Sequence, residues 1–234
     1  LFKRRAQEIV ALSEKTKRDF IRGNRELSGE IGIGCGEFRS IQIIAQIMKE
    51  FKKEHPFVTF QIYSGNSSNI KERIESGILD IGVILDYVDI RKYEYVRIPL
   101  SEEWGVLVRE DSPLATMEYV TPEDIRELPL IISERSMRDN ELADWIGKKY
   151  EDLNIVSTYN LMYNAAIMVA NGMGVAGCIK LDCRYEGTRF VPARPSVKNN
   201  SVFAWKKALS QSQAVSSFIE FSRIYIKRIS SNTT

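Results

Sequence analysis

Short apolar runs alternate along this chain with stretches of helical periodicity, and this alternation restricts the fold more than any other feature. Residues 30–36, 57–63 and 81–85 have the composition of strands, and helical patterns over 41–51 and 68–76 separate them. The order strand, helix, strand, helix, strand predicts a parallel sheet with right-handed crossovers. We therefore expect an α/β fold.

A second set of similar elements follows the first. Its predicted elements are strands 102–109, 130–133, 155–158 and 201–205, helices 137–150 and 160–171, and a final helix capped by Ser210. Two α/β units in tandem would form a cleft. Open α/β sheets bind ligands at the carboxyl ends of their strands. The loops at 35–40, 64–68, 133–136 and 158–164 are therefore expected to line that cleft.

Charge is unevenly distributed in the 234 residues. Residues 1–25 hold eight basic and three acidic residues, a balance of +5, so the net charge of +2 leaves −3 for residues 26–234. The same 25 residues lack Gly and Pro up to Gly23 and show helical apolar spacing, which predicts an amphipathic helix. A helix of this kind needs a partner surface, either its own domain or a second chain. Because the chain starts at Leu1, we expect it to be a fragment of a longer protein.

Composition excludes several classes of function. An odd count of three Cys argues against a disulfide framework, and one His leaves little material for a zinc site or a His-based triad. No apolar run approaches the ~20 residues that span a bilayer, and no signal peptide opens the chain. We expect a cytoplasmic protein that uses no cofactor or metal, does not bind membranes, and binds ligands rather than catalysing a reaction.

Several ordered motifs resemble the effector-binding domain of LysR-type transcriptional regulators. They include His55-Pro56 after a helix, Ser64-Gly65-Asn66 after a strand, and Ile78-Leu79-Asp80-Ile81. Downstream, IPLSEEWGVLVREDSPLA at 98–115 and VANGMGVAGCI at 169–179 also match the family pattern in type and order. The similarity covers essentially the whole chain, and the ordered series is more specific than any single motif.

The resemblance implies two Rossmann-like lobes, as in type 2 periplasmic solute-binding proteins. Lobe I would comprise residues 28–86 and 195–230, and lobe II residues 90–190, preceded by a linker or dimerisation helix at 1–25. It also implies a homodimer or homotetramer, in which helix 40–53 and strand 57–63 contact lobe II of a second chain. A small-molecule effector would bind in the interlobe cleft, and DNA would be bound only through an N-terminal winged helix-turn-helix absent from this chain.

One group of candidate effector-binding residues lies before the helix at 41: Gly36, Glu37, Arg39 and Ser40. Free backbone N–H groups at a helix start favour an anion, and an Arg can bind a carboxylate through two hydrogen bonds. The alternative is an ordinary glycine-rich turn. The remaining candidates are Ser64, Asn66, Ser67, Ser133, Arg135, Tyr163 and Asn164, which could equally serve as turn, cap, core or surface residues. Together these groups favour a small anionic effector, such as an organic acid or amino acid.

Two other functions remain open. A bilobal solute-binding protein would have the same fold but no use for the basic helix at 1–25. An enzyme, such as a lyase, would need a convergent acid and base, for which the sequence offers only Glu37, Glu134 and His55 in scattered loops. Cys178 and Cys183 could sense oxidants, but the interpretation that they are incidental is preferred because no pattern strongly lowers a thiol pKa.

Overall fold

The computed structural model describes residues 27–85, 91–134, 141–207 and 211–231, together with Ala6, Ile9, Val10 and Ser13. Those four isolated residues have helical backbone. The rest of the linker helix predicted over 1–25 lies outside the described residues.

Nine strands and six helices are found in these ranges. The strands are β1 (Gly29–Cys35), β2 (Val58–Ser64), β3 (Ile81–Leu85), β4 (Tyr93–Arg109), β5 (Leu130–Ser133), β6 (Ile155–Tyr159), β7 (Val175–Ile179), β8 (Thr188–Pro192) and β9 (Lys198–Lys206). The helices are α1 (Ile41–Glu54), α2 (Ser67–Glu75), α3 (Pro122–Ile125), α4 (Glu141–Ile146), α5 (Met162–Ala170) and α6 (Gln213–Ser231). Short 3₁₀ turns occupy Pro113–Thr116 and Tyr150–Asp152.

The chain divides into two compact units. Unit 1 comprises Leu1–Gly36, Ser40–Leu100 and Asn200–Thr234, and unit 2 comprises Glu37–Arg39 and Ser101–Asn199. The chain therefore passes between the units within β4 and again within β9. The three residues Glu37–Arg39 belong to unit 2 although both of their flanks belong to unit 1.

The sheet of unit 1 has the strand order β2-β1-β3-β9. β1 is parallel to β2 and β3, whereas β9 is antiparallel to β3. Helix α2 packs directly against this sheet because Gly34 and Gly82 leave room for Ile70. A Cβ at Gly34 or Gly82 would lie 2.8 or 3.0 Å from an Ile70 methyl carbon. These two glycines therefore set the close helix-to-sheet distance.

Aromatic rings fill the other side of unit 1, where α1 and α6 pack. The Phe218 ring is fully buried, and its centroid lies 5.1 Å from Phe51, 4.9 Å from Phe60 and 6.1 Å from Phe203. These four phenylalanines come from two helices and two strands, so one ring cluster connects elements that are distant in sequence. Burial of such rings is among the larger stabilising contributions in a domain.

Unit 2 has its own mixed sheet. β4 is antiparallel to β7 and β8, and β5 is parallel to β6 and β7. The Trp104 and Trp145 rings meet edge to face at 5.5 Å, and the Trp145 indole N–H donates to the carbonyl of Pro195 at 3.0 Å. Trp205 is buried in unit 1. The three tryptophans are thus packing residues.

The predicted sheet and several element bounds need correction. The parallel order holds for β2-β1-β3, but each unit also contains antiparallel pairs. β8 was not predicted, and β4 begins at Tyr93 rather than near 102, because Pro99 and the polar residues 101–103 interrupt its apolar pattern. The helix predicted over 137–150 is described only as Glu141–Ile146, since Gly147 adopts the left-handed φ of 73° that ends it.

The start of the last helix also differs from the prediction. Ser210 lies outside the described residues. The Ser212 hydroxyl accepts a hydrogen bond from the Val215 N–H at 3.3 Å, and its carbonyl accepts one from Ser216 N–H at 3.0 Å. Ser212 therefore caps α6.

Candidate functional site

The loops after β1 and β2 are held side by side in unit 1. β1 and β2 are parallel neighbours, and Cys35 pairs with Ser64 at their carboxyl ends. The Gly65 N–H donates to the Cys35 carbonyl at 3.2 Å. Two of the predicted polar loops therefore lie next to each other, at the sheet edge where α/β folds bind ligands.

Glu37 and Arg39 already have protein partners in unit 2. The Met162 N–H, at the start of α5, donates to Glu37 Oε2. Arg39 Nε donates to Asp182 Oδ1 at 2.9 Å, and the Arg39 backbone N–H donates to Oε2 of the buried Glu102 at 3.2 Å. Glu37 thus occupies the anion position at the α5 N-terminus. A ligand carboxylate that binds Arg39 would have to compete with Asp182.

Ser40 stands at the N-cap position of α1, but its side chain does not cap that helix. Its backbone is helical (φ −59°, ψ −17°), its hydroxyl makes no capping hydrogen bond, and it is fully buried. The Ser40 carbonyl accepts from the N–H groups of Ile43 and Ile44. Gly36 is half-buried beside it. Of the four predicted residues in this loop, Glu37 is the most exposed to solvent.

The loop after β2 forms a turn and a helix cap, which are among the structural roles that the sequence left open for its residues. Asn66 caps α2, because its Oδ1 accepts a hydrogen bond from the Asn69 N–H at 2.9 Å. Ser67 is buried in the first turn of that helix, whereas Ser64 at the end of β2 is exposed. Ser64 is therefore the member of this loop best placed to meet a ligand without rearrangement.

In unit 2 the carboxyl ends of β5 and β6 likewise lie side by side. Ser133 pairs with Tyr159 across the two parallel strands, and the Tyr159 hydroxyl donates to the Gly177 carbonyl at 2.7 Å. Ser133 is half-buried. Tyr163 and Asn164, in the first turn of α5, are exposed, and the Tyr163 ring lies 6.4 Å from that of Tyr185. Arg135 lies outside the described residues.

The acid and base candidates do not converge in the described part of the chain. His55 ends α1. Its imidazole ring packs against the Phe51 ring at 4.5 Å, and its backbone N–H donates to the Phe51 carbonyl at 2.9 Å. Glu37 contacts the start of α5 and Glu134 is an exposed residue directly after β5. Among the described residues no cluster of three or more His, Cys, Asp or Glu side chains could hold a metal ion. Within the same ranges, no helix has both the length and the apolar character needed to cross a bilayer.

The three cysteines differ in burial and therefore in the reactivity of their thiols. Cys35 and Cys178 are buried, and Cys183 is exposed. Burial raises the pKa of Cys178 to about 12. Its thiolate is therefore a negligible fraction near neutral pH, and the thiolate is the reactive form. This environment disfavours an oxidant-sensing pair of Cys178 and Cys183.

A cavity that the sequence did not predict lies within unit 2. It has a volume of about 720 Å³, and its lining includes buried Leu107, Met162 and Cys178 together with the half-buried rings of Tyr185 and Phe190. Residues of the segment 178–190 form most of its wall. None of the predicted effector-binding residues lines it. The cavity is therefore a candidate site distinct from the predicted effector-binding residues, although Met162 belongs to the predicted loop at 158–164.

Comparison with known proteins gives a consistent result. The family profile described as LysR substrate binding domain matches residues 24–225. The Bacillus subtilis (strain 168) protein described as "Uncharacterized HTH-type transcriptional regulator YvbU" is 23% identical over 148 residues, which are 63% of this chain and 49% of that protein. The chain thus spans about half the length of this relative.

Solved structures share the fold. The effector binding domain of QuiR in complex with shikimate has a TM-score of 0.74 at 18% identity, and the match covers 86% of this chain and 99% of that one. The Synechocystis PCC6803 CcmR regulatory domain in complex with 2-PG has a TM-score of 0.68 at 13% identity, with 86% and 98% covered. At these identities the similarity shows the fold.

Proposed function

We propose a function from the premise that this chain belongs to the LysR substrate binding domain family. The chain is the effector-sensing part of a LysR-type transcriptional regulator. It binds a small anionic metabolite through the loops that follow β1 and β2 in unit 1 and β5 and β6 in unit 2. It is not an enzyme, because its role is to convert occupancy of this site into a change in transcription.

One observation carries this proposal. In each unit two parallel strands end side by side, with Cys35 beside Ser64 in unit 1 and Ser133 beside Tyr159 in unit 2. Each pair of strand ends leads into polar loops, and such edges are the usual ligand sites of α/β folds. Two similar folds, those of QuiR and CcmR, were solved with the small molecules shikimate and 2-PG. These complexes support a small molecule as the ligand class.

The proposed signal is a shift in population. A ligand that binds one conformation of the regulator more tightly increases the fraction of molecules in that conformation. Since the chain spans about half the length of YvbU, we assign DNA contact to an N-terminal winged helix-turn-helix outside this chain. A regulator of bacterial type would act in the cytoplasm, where its promoters are.

We infer that the signal passes through a homodimer or homotetramer. Exposed apolar side chains support this: Ile62 on β2 is 44% exposed, and Tyr163 and Ile167 on α5 are 62% and 48% exposed. Among the strands that the structure describes, β2 lies at one edge of its sheet, a position open to pairing with another chain. In the proposed assembly, α1 and β2 of one protomer contact unit 2 of its partner.

Binding of organic acids tests the sensing role. A thermal-shift screen of metabolites should find at least one small organic acid that raises the melting temperature, since a ligand that binds only the folded state stabilises it. A screen in which no acid shifts the transition, followed by calorimetry that also detects no binding, would contradict the sensing proposal.

Arg39 and Asp182 give a sharper prediction with that acid as the probe. We expect Arg39→Ala to weaken binding about tenfold, the effect of losing one charge-assisted hydrogen bond. Asp182→Asn should retain or increase the affinity, because it removes the carboxylate that competes for Arg39 at 2.9 Å. Both variants should fold, since a partly exposed ion pair contributes under about 1 kcal/mol.

Calorimetric titration of both variants measures this difference. If Arg39→Ala binds the acid with wild-type affinity, Arg39 does not contact the effector. If Asp182→Asn loses affinity as strongly as Arg39→Ala, the ion pair itself positions the loop and Arg39 is not a ligand-binding group.

A further inference from the structure

We propose that the unit 2 cavity is an accessory binding site for a small aromatic carboxylate. None of the predicted effector-binding residues lines this site, which shares Met162 with the predicted loop at 158–164. It is lined from unit 2 alone, and its chemistry is described by three features: its size, its apolar floor and its basic rim.

The size and floor of the cavity suit a compact organic ligand. Its volume of about 720 Å³ falls within the ≈ 300–1,000 Å³ typical of small-molecule sites. Leu107, Met162 and Cys178 are each 5% exposed and supply an apolar floor. Burial of the apolar part of a ligand there would release water from both surfaces.

Two aromatic side chains make the walls suitable for a ring. Tyr185, in the segment between β7 and β8, and Phe190, on β8, are half-buried and both line the cavity. Burial and a hydrogen bond to Cys183 raise the pKa of the Tyr185 hydroxyl, which is therefore a neutral donor at physiological pH. Offset or edge contacts between rings add about 0.5–1.5 kcal/mol to the effect of burial alone.

The rim of the cavity contains groups that can bind an anion. Three cations, Lys180, Arg184 and Arg189, line the cavity together with two carboxylates, Glu110 and Glu186. Lys180 is paired with Glu103 at 3.0 Å, outside the lining.

Arg184 and Arg189 are the two remaining cations of the rim. Both are exposed, and neither forms an ion pair with any residue in the ranges that the structure describes. A guanidinium without a carboxylate partner can bind a ligand carboxylate through two parallel hydrogen bonds. The apolar floor with a basic rim therefore matches a ring that bears one carboxylate.

Cys183 reports occupancy of this site directly. It lines the cavity and is exposed, whereas Cys35 and Cys178 are buried, so iodoacetamide should alkylate Cys183 first in the native protein. We expect 2-naphthoate to slow that alkylation in a saturable way. Neutral 2-naphthamide and cationic 2-naphthylmethylamine should protect Cys183 at least about tenfold less well, because they lack the charge-assisted hydrogen bonds.

Paired arginine variants locate the carboxylate. We expect Arg184→Gln and Arg189→Gln each to raise the half-protecting 2-naphthoate concentration about tenfold. Arg194→Gln is the control, because it removes an equal charge from an exposed arginine of the same unit. Arg194 stacks on Tyr119 outside the cavity, so 2-naphthoate should protect Cys183 of this variant as well as it protects wild type. Protection is taken as the ratio of rates with and without ligand, because a nearby arginine also affects the intrinsic reactivity of Cys183.

Three results would overturn the accessory site. The first is that about 10 mM 2-naphthoate, the weak end of millimolar affinity, does not protect Cys183. The second is that the amide or the amine protects Cys183 equally well. The third is that neither Arg184→Gln nor Arg189→Gln changes the protection by 2-naphthoate. The effector proposal is independent of these outcomes, since its own tests use Arg39 and Asp182, which do not line the cavity.

Discussion

We expect Phe218→Ala to lower the free energy of unfolding of unit 1 by about 3–5 kcal/mol, the range for removing a fully buried phenylalanine ring. Phe218 is 0% exposed, and three other phenylalanine rings lie within 6.1 Å of it. These rings belong to α1, β2 and β9, so they cannot all move into the space that is left. The cost therefore combines lost burial with an unfilled cavity.

Urea unfolding of wild type and variant, followed by far-UV circular dichroism, measures this effect. Ile224→Ala on the same helix is the matched control, because Ile224 is 61% exposed and its truncation should change stability by less than about 0.5 kcal/mol. A Phe218→Ala variant no less stable than Ile224→Ala would contradict the assignment of this ring cluster as the core of unit 1. If the variant does not fold, Phe218→Leu should show a smaller loss in the same direction.

Ile167→Glu should weaken self-association about a hundredfold, or about 2.7 kcal/mol. Ile167 is a half-exposed apolar residue in the middle of α5, the helix proposed to contact α1 and β2 of a partner. A glutamate there would lose its hydration when the partner binds, which is unfavourable for a charged group. Its helix propensity is as good as that of isoleucine, so the folded protomer should be preserved.

Sedimentation equilibrium over a range of concentrations measures the dissociation constant. Ile224→Glu introduces the same charge at an exposed position of α6 and should associate like wild type. A wild-type chain that stays monomeric at high concentration would contradict the assembly proposal. Equal association of Ile167→Glu and wild type would instead show that α5 is not in the interface.

The α/β fold and the family were predictable because they depend on patterns of adjacent residues. The buried run Ile81–Leu85 and the helical face of Ile41–Glu54 appear directly as periodicity. β8 gave no such signal, since within Thr188–Pro192 only Val191 is buried and the strand ends in Pro. The helix predicted over 137–150 extended too far at its C-terminal end. Gly147 does not interrupt the helical periodicity of the sequence, but it adopts a left-handed φ in the structure.

The positions of the candidate loops were predictable from the sequence, but the contacts of their side chains were not. Loop locations follow from strand ends, which the apolar runs mark. Side-chain contacts depend on long-range packing that no local pattern encodes. Arg39 pairs with Asp182, which is 143 residues away, and Glu37 contacts the N-terminus of α5. The cavity in unit 2 has the same origin, although the cations that cluster with Tyr185 and Phe190 in residues 180–190 are a compositional signal that could have indicated it.

Calorimetric titration of the screened organic acid into loop variants of both units tests the effector-sensing claim most directly. Ser64→Ala in unit 1 and Asn164→Ala in unit 2 remove exposed polar groups beside the paired strand ends. Ser216→Ala and Asn154→Ala remove the same groups from exposed positions elsewhere in each unit. We expect each loop variant to bind about tenfold more weakly, and both controls to bind like wild type. An acid whose affinity is the same for both loop variants and both controls would contradict an effector site built from these loops.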